Sequence, residues 1–156
     1  MEAIVRIRIG IALLLLLAAC QSEVLAPLPV ATQVSDELGL AYRGAATLSQ
    51  DGALTANIIV TNERSTAVDL RVASHCAVLI RAWRSADYSG RPAWDQTAET
   101  RACSTLTRTI RLAPGEARVF AGEARPDLER GRYFLSVVLR REHRTIEVAA
   151  GHVDIP

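Results

Sequence analysis

The sequence predicts an all-β protein: an Ig-like antiparallel β-sandwich of seven to eight strands over residues 40–156, preceded by a cleaved leader and a flexible tether. Three observations carry this. Apolar and polar residues alternate with period two in segment after segment. Turn-forming clusters recur about every ten residues, the spacing of sandwich strands. After residue 40, no helical pattern is long enough to cross between parallel strands.

The leader comes first. Arg6 and Arg8 precede an apolar run, Ile9 to Ala19. A membrane-spanning helix needs roughly 20 apolar residues. The run is shorter, so residues 1–19 read as a secretory signal removed before a small-residue site. Leu17-Ala18-Ala19-Cys20 resembles the bacterial lipobox. That resemblance implies lipidation of Cys20, cleavage before it and acylation of the new amine. Each buried CH₂ contributes about 0.8 kcal/mol, so two or three chains anchor durably. Gln21, in place of aspartate, implies by the same resemblance an outer-membrane destination facing the periplasm.

Residues 20–39 form the lipidated N-terminus and linker. Pro27, Pro29 and a Ser35-Asp36-Glu37 patch show no period. A flexible coil of about 18 residues holds a domain roughly 20–25 Å from its anchor. A short helix near Ser35 is the one regular element this stretch suggests.

The sandwich follows. Leu40–Leu48 is a strand ended by the Gln50-Asp51-Gly52 turn. Leu54, Ala56, Ile58 and Val60 alternate with Thr55, Asn57 and Thr61, up to the Asn62 turn. Val68, Leu70 and Val72 make the next strand. Cys76–Trp83 is more continuously apolar, as a central strand should be. Leu106, Ile110 and Leu112 share one face of a strand that Arg108 interrupts, and Ala113-Pro114-Gly115-Glu116 turns the chain. Ala117–Ala124 is a strand of ambiguous facing. Tyr133, Leu135, Val137 and Leu139 alternate cleanly. The last strand begins at Ile146 and Val148, and its apolar parity shifts across Gly151, which marks a bulge. Tyr133, two residues after Gly131, fits either a tyrosine corner or a plain core tyrosine.

Composition excludes several function classes. Removal of residues 1–19 takes away Glu2, Arg6 and Arg8, leaving 16 basic and 16 acidic side chains. A chain without basic surplus is not built for nucleic acid. Every basic residue but histidine is arginine. The arginines are scattered, which suits GC-rich coding better than a guanidinium-lined site. Cys76 and Cys103 form an even pair in an oxidising compartment. A disulfide between them would be worth about 3.5 kcal/mol in the chain-entropy model; two buried free thiols are the alternative. His75, His143 and His152 lie in no ligand-spaced cluster, so neither a metal nor another cofactor is expected. No phosphate loop, nucleophile elbow or carboxylate pair is present, and the chain reads as a non-enzyme.

One stretch offers a contact surface. The Ala82–Ala102 connection is long for a sandwich, and long loops are often functional. It carries Trp83, Arg84, Tyr88, Arg91, Trp94 and Arg101, residue types enriched at interface hot spots. The same tryptophans also suit a role as covers for the core edge.

Three features, taken in order, are similar to BsuPI-type domains, known from a bacterial intracellular proteinase inhibitor. They are Ile58-Ile59-Val60-Thr61-Asn62, then Gly90-Arg91-Pro92-Ala93-Trp94, then Leu112-Ala113-Pro114-Gly115-Glu116 followed by Gly131-Arg132-Tyr133. The resemblance spans Leu54 to Leu139 and implies an Ig-like sandwich. The leader, Cys76 and Cys103 depart from the inhibitor, and no inhibitory residue carries over. The expectation is a lipid-anchored envelope protein whose sandwich binds a protein or polymer partner. The alternative is a proteinase inhibitor at the envelope, with the Ala82–Ala102 loop as its contact.

Overall fold

The computed structural model describes residues 33–99, 103 and 106–156, so Cys20 and Arg101 lie outside the described residues. The described chain is all-β and antiparallel, with ten strands and one short helix. The strands are β1 (Val34–Ser35), β2 (Leu40–Leu48), β3 (Leu54–Asn62), β4 (Val68–Ala73) and β5 (Val78–Trp83). After these come β6 (Trp94–Asp95), helix α1 (Gln96–Glu99), β7 (Thr107–Leu112), β8 (Ala117–Ala124), β9 (Gly131–Arg140) and β10 (Thr145–Ile155). One sheet runs β1-β2-β3-β8, a second runs β10-β9-β5-β6, and β4 and β7 form a separate ribbon.

The core lies between the sheets. Tyr42, Leu54, Ile58 and Val60 of the first sheet and Ile80, Tyr133, Leu135 and Leu139 of the second are completely or almost completely buried. Leu70, Val72 and Leu112 close the core from the ribbon. The sheets meet closely where β2 passes β10. A Cβ on Gly44 would come within 2.8 Å of a Val148 methyl and 2.9 Å of the Ala149 carbonyl oxygen. Only a residue without a side chain permits that approach.

Two tight features hold the sandwich ends. The Tyr133 hydroxyl donates to the Glu129 carbonyl at 2.9 Å, which decides for the tyrosine corner. Fully buried Asn62 joins two turns: its Nδ2 faces the carbonyls of Thr66, Leu112 and Ala113 at 2.9–3.1 Å, and its Oδ1 accepts from the Arg64 amide at 3.0 Å. A buried amide needs such partners, since each one left unmade costs about 1–3 kcal/mol. The Asn62 and Pro114-Gly115 turns are therefore one structural unit, because Gly115 also donates to the Asn62 carbonyl at 2.8 Å. The bulge falls where expected: the β9–β10 register shifts between Ala149 and His152, and Gly151 takes φ +94°.

Cys76 and Cys103 are bonded to each other. Four expectations are corrected. Residues 34–35 pair with β2 as a strand, and no helix forms near Ser35; Asp36 instead accepts the amides of Leu38 and Leu40. The central strand begins at Val78, because Cys76 has a left-handed backbone (φ +51°) that no strand continues through. Leu106 is 69% exposed, so it does not share the apolar face of Leu112. The β7 side chains go from exposed Arg108 through half-buried Ile110 to buried Leu112; the strand runs off the core at its start, where an arginine is tolerated. The supposed open loop after Trp83 contains β6 and α1.

Candidate functional site

The outer face of the second sheet carries a connected set of polar side chains. On β5, Leu79, Arg81 and Trp83 share this face, since Val78, Ile80 and Ala82 belong to the core. Register then places Ser136 of β9 opposite Arg81, and Phe134 opposite Trp83. On β10, Glu147 and Ala149 continue the same face, opposite Val138 and Ser136.

These side chains form a continuous relay. The Trp83 indole Nε1 donates to Ser136 Oγ at 2.9 Å, and Ser136 donates to Glu147 Oε1 at 2.6 Å. Glu147 Oε2 accepts from Arg81 Nη1 at 2.5 Å. Arg81 Nε reaches Asp95 Oδ1 at 3.1 Å, and its Nη2 reaches Thr97 Oγ1 at 3.2 Å. Asp95 also accepts from the Thr97 amide at 2.8 Å. Burial works against the charge on Arg81, but Asp95 and Glu147 outweigh it and push its pKa above the usual value. Burial likewise raises Asp95, and the Thr97 and Arg81 hydrogen bonds more than offset it, so its carboxyl stays below the ordinary range.

Two hollows open on this face. One, of about 240 Å³, is bounded by Val34, Tyr88, Ser136, Glu147, Val148 and Ala149. The other, of about 270 Å³, has Leu79 and Val138 as its floor and Arg81, Arg140, Thr97 and Thr145 around it. Tyr88 is held over the first by its loop. Asp87 accepts from the Ser85 hydroxyl and from the Ser89 amide at 3.1 Å, which draws its pKa down to about 2. Tyr88 itself adopts φ +57° and meets Trp83 edge-on, with ring centroids 6.2 Å apart. A tyrosine in that backbone region is strained, and such strain gathers at functional loops.

A larger hollow of about 400 Å³ lies elsewhere, lined by residues including Arg71, Glu142, His143 and Arg144. Its charges are spent on neighbours: Arg71 pairs with Glu142 at 2.6 Å, and Arg144 with Asp36 at 2.8 Å. Among the described residues, no group of three His, Cys, Asp or Glu could hold a metal ion, and no helix is long and apolar enough to cross a membrane.

The proposed contact residues separate into different roles. Trp83 is only 8% exposed with its N–H spent on Ser136, so it supports the face from beneath and is not an exposed anchor. Trp94 is half-buried against the core, its Nε1 donating to Glu99 at 2.7 Å. Arg84 lies over the Tyr133 ring, 4.1 Å from its centroid, and pairs with Glu129 at 3.4 Å. Tyr88 is half-buried beside the first hollow, and Arg91 is exposed. Arg81, Ser136, Glu147 and Arg140 were not among the residues nominated from sequence. The signal was present: Arg81 and Ser136 are polar interruptions in the two most apolar strands.

No protein-family model matches the chain, and no curated protein matches it. Among solved structures, it is similar to the C-terminal domain of wzt, at 16% identity and TM-score 0.43, covering 82% of this chain and 79% of that one. It is also similar to part of a β-glucosidase, EmGH1, from Erythrobacter marinus (15% identity, TM-score 0.36, 71% of this chain and 15% of that one). A third likeness is to β-glucosidase 3B from Thermotoga neapolitana in complex with glucose (17% identity, TM-score 0.33, 74% and 17%). The chain thus spans about a sixth of the two β-glucosidases.

Proposed function

We propose that this chain is a lipid-anchored protein of the bacterial envelope, and that its sandwich is a non-enzymatic binding module using the outer face of the second sheet. The observation that supports this reading most is the Trp83–Ser136–Glu147–Arg81–Asp95 relay. It fixes five side chains on an outer sheet face, beside two hollows, where solvated and unconnected side chains would suffice for folding. Preorganised polar groups lose little freedom on binding, which is what a recognition surface requires. The anchor rests on the leader and Cys20, and the outer membrane on Gln21.

The test has two arms. Metabolic labelling with palmitate marks the wild-type chain and not Cys20→Ser; unlabelled wild type overturns the anchor. A photo-crosslinking residue at Tyr88 captures a discrete envelope component, whereas the same residue at Val119, 58% exposed on the other sheet, does not. Equal capture at both positions, or none at Tyr88, overturns the assignment of the face.

The BsuPI-type inhibitor reading stands second. It is supported by the ordered turns and by exposed Arg91 in a loop pinned by Asp87. Stoichiometric inhibition of a protease, lost in Arg91→Ala, would favour it; no inhibition of serine, cysteine or metalloproteases would remove it.

A further inference from the structure

The arm formed by β6 and α1 supplies Asp95 and Thr97, which grip Arg81 from one side. Little burial holds that arm. β6 pairs with β5 through two residues, Trp94 with Ala82 and Asp95 with Arg81. α1 is a single turn of four residues, none of them buried. So short a helix does not sustain itself in water. Trp94 packs against the core, but it stands at the arm's start. Gln96 adds two hydrogen bonds, accepting from the Ile80 amide at 2.9 Å and donating to the Glu123 carbonyl at 3.3 Å. A segment with few buried apolar contacts opens locally more readily than the core does.

The far end of the arm is covalently fastened. The chain runs back antiparallel to β5 and reaches Cys103, which is bonded to Cys76 just before β5 begins. The disulfide therefore closes the arm onto the strand that carries Arg81. Cys76 holds φ +51°, one of two positive values among the described residues other than glycine. Such a backbone is costly for a residue with a Cβ and persists where its surroundings impose it. Both cysteines are half-buried, so the sulfurs are not sealed in the core.

We propose that the Cys76–Cys103 disulfide is a redox-sensitive fastener for the relay. Oxidised, it holds the β6–α1 arm against Arg81; reduced, it lets the arm detach while the sandwich stays folded. The core tolerates this, because among the described residues no buried side chain lies between Trp83 and Leu112. A dithiol reductant opens the bond by two exchanges. One reagent thiolate attacks a cysteine sulfur and the other cysteine leaves as a thiolate. The second reagent thiol then displaces the mixed disulfide. Two electrons and two protons pass to Cys76 and Cys103, and the reagent ends as a cyclic disulfide. Arg81 and Thr97 both border the hollow of about 270 Å³, so the same bond shapes that hollow.

Hydrogen exchange of the full chain, oxidised and after treatment with dithiothreitol, tests the proposal. Three cysteines permit one intrachain disulfide, so the reagent acts on this bond alone. The amides of Ile80, Ala93 and Thr97, bonded to Gln96, Ala82 and Asp95, should exchange roughly ten- to a hundredfold faster on reduction. The amides of β3 and β9 should change by less than about twofold, and reoxidation should restore the arm. The double variant Cys76→Ser, Cys103→Ser should match the reduced wild type without reagent; if it does not fold, the reduced wild type alone decides. Unchanged arm amides on reduction overturn the proposal. So does equal acceleration in β3 and β9, which would make the bond a brace for the whole fold. Neither outcome depends on what the sheet face binds.

Discussion

Two charged networks in this sandwich are near mirror images. At the base of the N-terminal segment, one carboxylate, Asp36, takes two arginines and a tyrosine: Arg141, Arg144 at 2.8 Å and the Tyr42 hydroxyl at 2.7 Å. On the outer face of the second sheet, one arginine, Arg81, takes two carboxylates, Asp95 and Glu147. Glu37, 3.7 Å from Arg144, brings the first network to balance, whereas the second carries a surplus of negative charge. They differ also in depth. The Asp36 side chain is 3% exposed, whereas Arg81, Asp95 and Glu147 retain about a quarter to a third of their surface. The buried network is a clamp, joining the turn after β1 to the β9–β10 hairpin; the half-open one borders hollows that can receive a ligand. Depth decides what a charged network is for, because removing a partner costs most where water cannot replace it.

The largest expected effect follows from that depth. Asp36→Ala leaves Arg141 facing Tyr42 with no counter-charge and frees the amides of Leu38 and Leu40. Chemical denaturation should show a loss of about 3–5 kcal/mol, the range for breaking a buried pair from one side. A loss below that of Arg81→Met would remove the distinction between clamp and surface.

Acid sharpens the same contrast. Burial raises the Asp36 pKa, but hydrogen bonds from Tyr42, the Leu40 amide and Arg141 outweigh it, and the net shift is downward. A carboxyl depressed in the folded state contributes stability that is fully present above its unfolded pKa of about 3.9 and is lost as pH falls through the folded value. The wild type should therefore lose stability below about pH 4. Asp36→Asn, which keeps the side-chain shape but cannot titrate at this position, should show a shallower acid limb in melts taken from pH 6 down to pH 2. Parallel limbs in the two proteins would show that the clamp does not govern acid sensitivity.

Arg81→Met comes next in size. It strands Asp95 and Glu147, but both keep access to water and Thr97 and Ser136 still donate to them. The loss should be about 2 kcal/mol, reduced from the buried case by solvent screening. Crosslinking through Tyr88 should fall as well, since the relay no longer holds Glu147 and Ser136 in place. Unaltered crosslinking would mean that the relay is structural only.

Much of this was legible in the chain, and the parts that were not share physical reasons. β3 matches the stretch read from alternation, because a nine-residue strand gives a period-two signal several repeats long, and β2 and β8 match stretches delimited by the turn residues beside them. β1 and β6 have two residues each and α1 has four, too few to show any period. The tyrosine corner was one of two open readings for Tyr133, and only the reach of its hydroxyl to Glu129 decides between them. In the relay, Arg81 and Ser136 were visible as oddities, but Glu147 was not. Its place beside them depends on the sheet order β10-β9-β5, a long-range fact that no local pattern carries. Arg140 was hidden for the opposite reason: an arginine at a strand end looks solvated, and only three-dimensional packing shows a nitrogen shut away from water.

The smallest expected effect is the control that gives the others meaning. Arg132 and Asp154 form an in-register pair across β9 and β10, with two hydrogen bonds at 2.8 and 3.2 Å. By geometry alone this pair is as good as any in the molecule, and Arg132 holds the Asp154 carboxyl below its usual pKa. Both side chains are 60% exposed, however. Water solvates either charge when the other is removed, and ordering two long side chains costs what their attraction gains. Arg132→Ala should leave the melting temperature unchanged within error at physiological salt. A shift comparable to that of Arg81→Met would mean that hydrogen-bond geometry, and not burial, ranks the ion pairs of this sandwich.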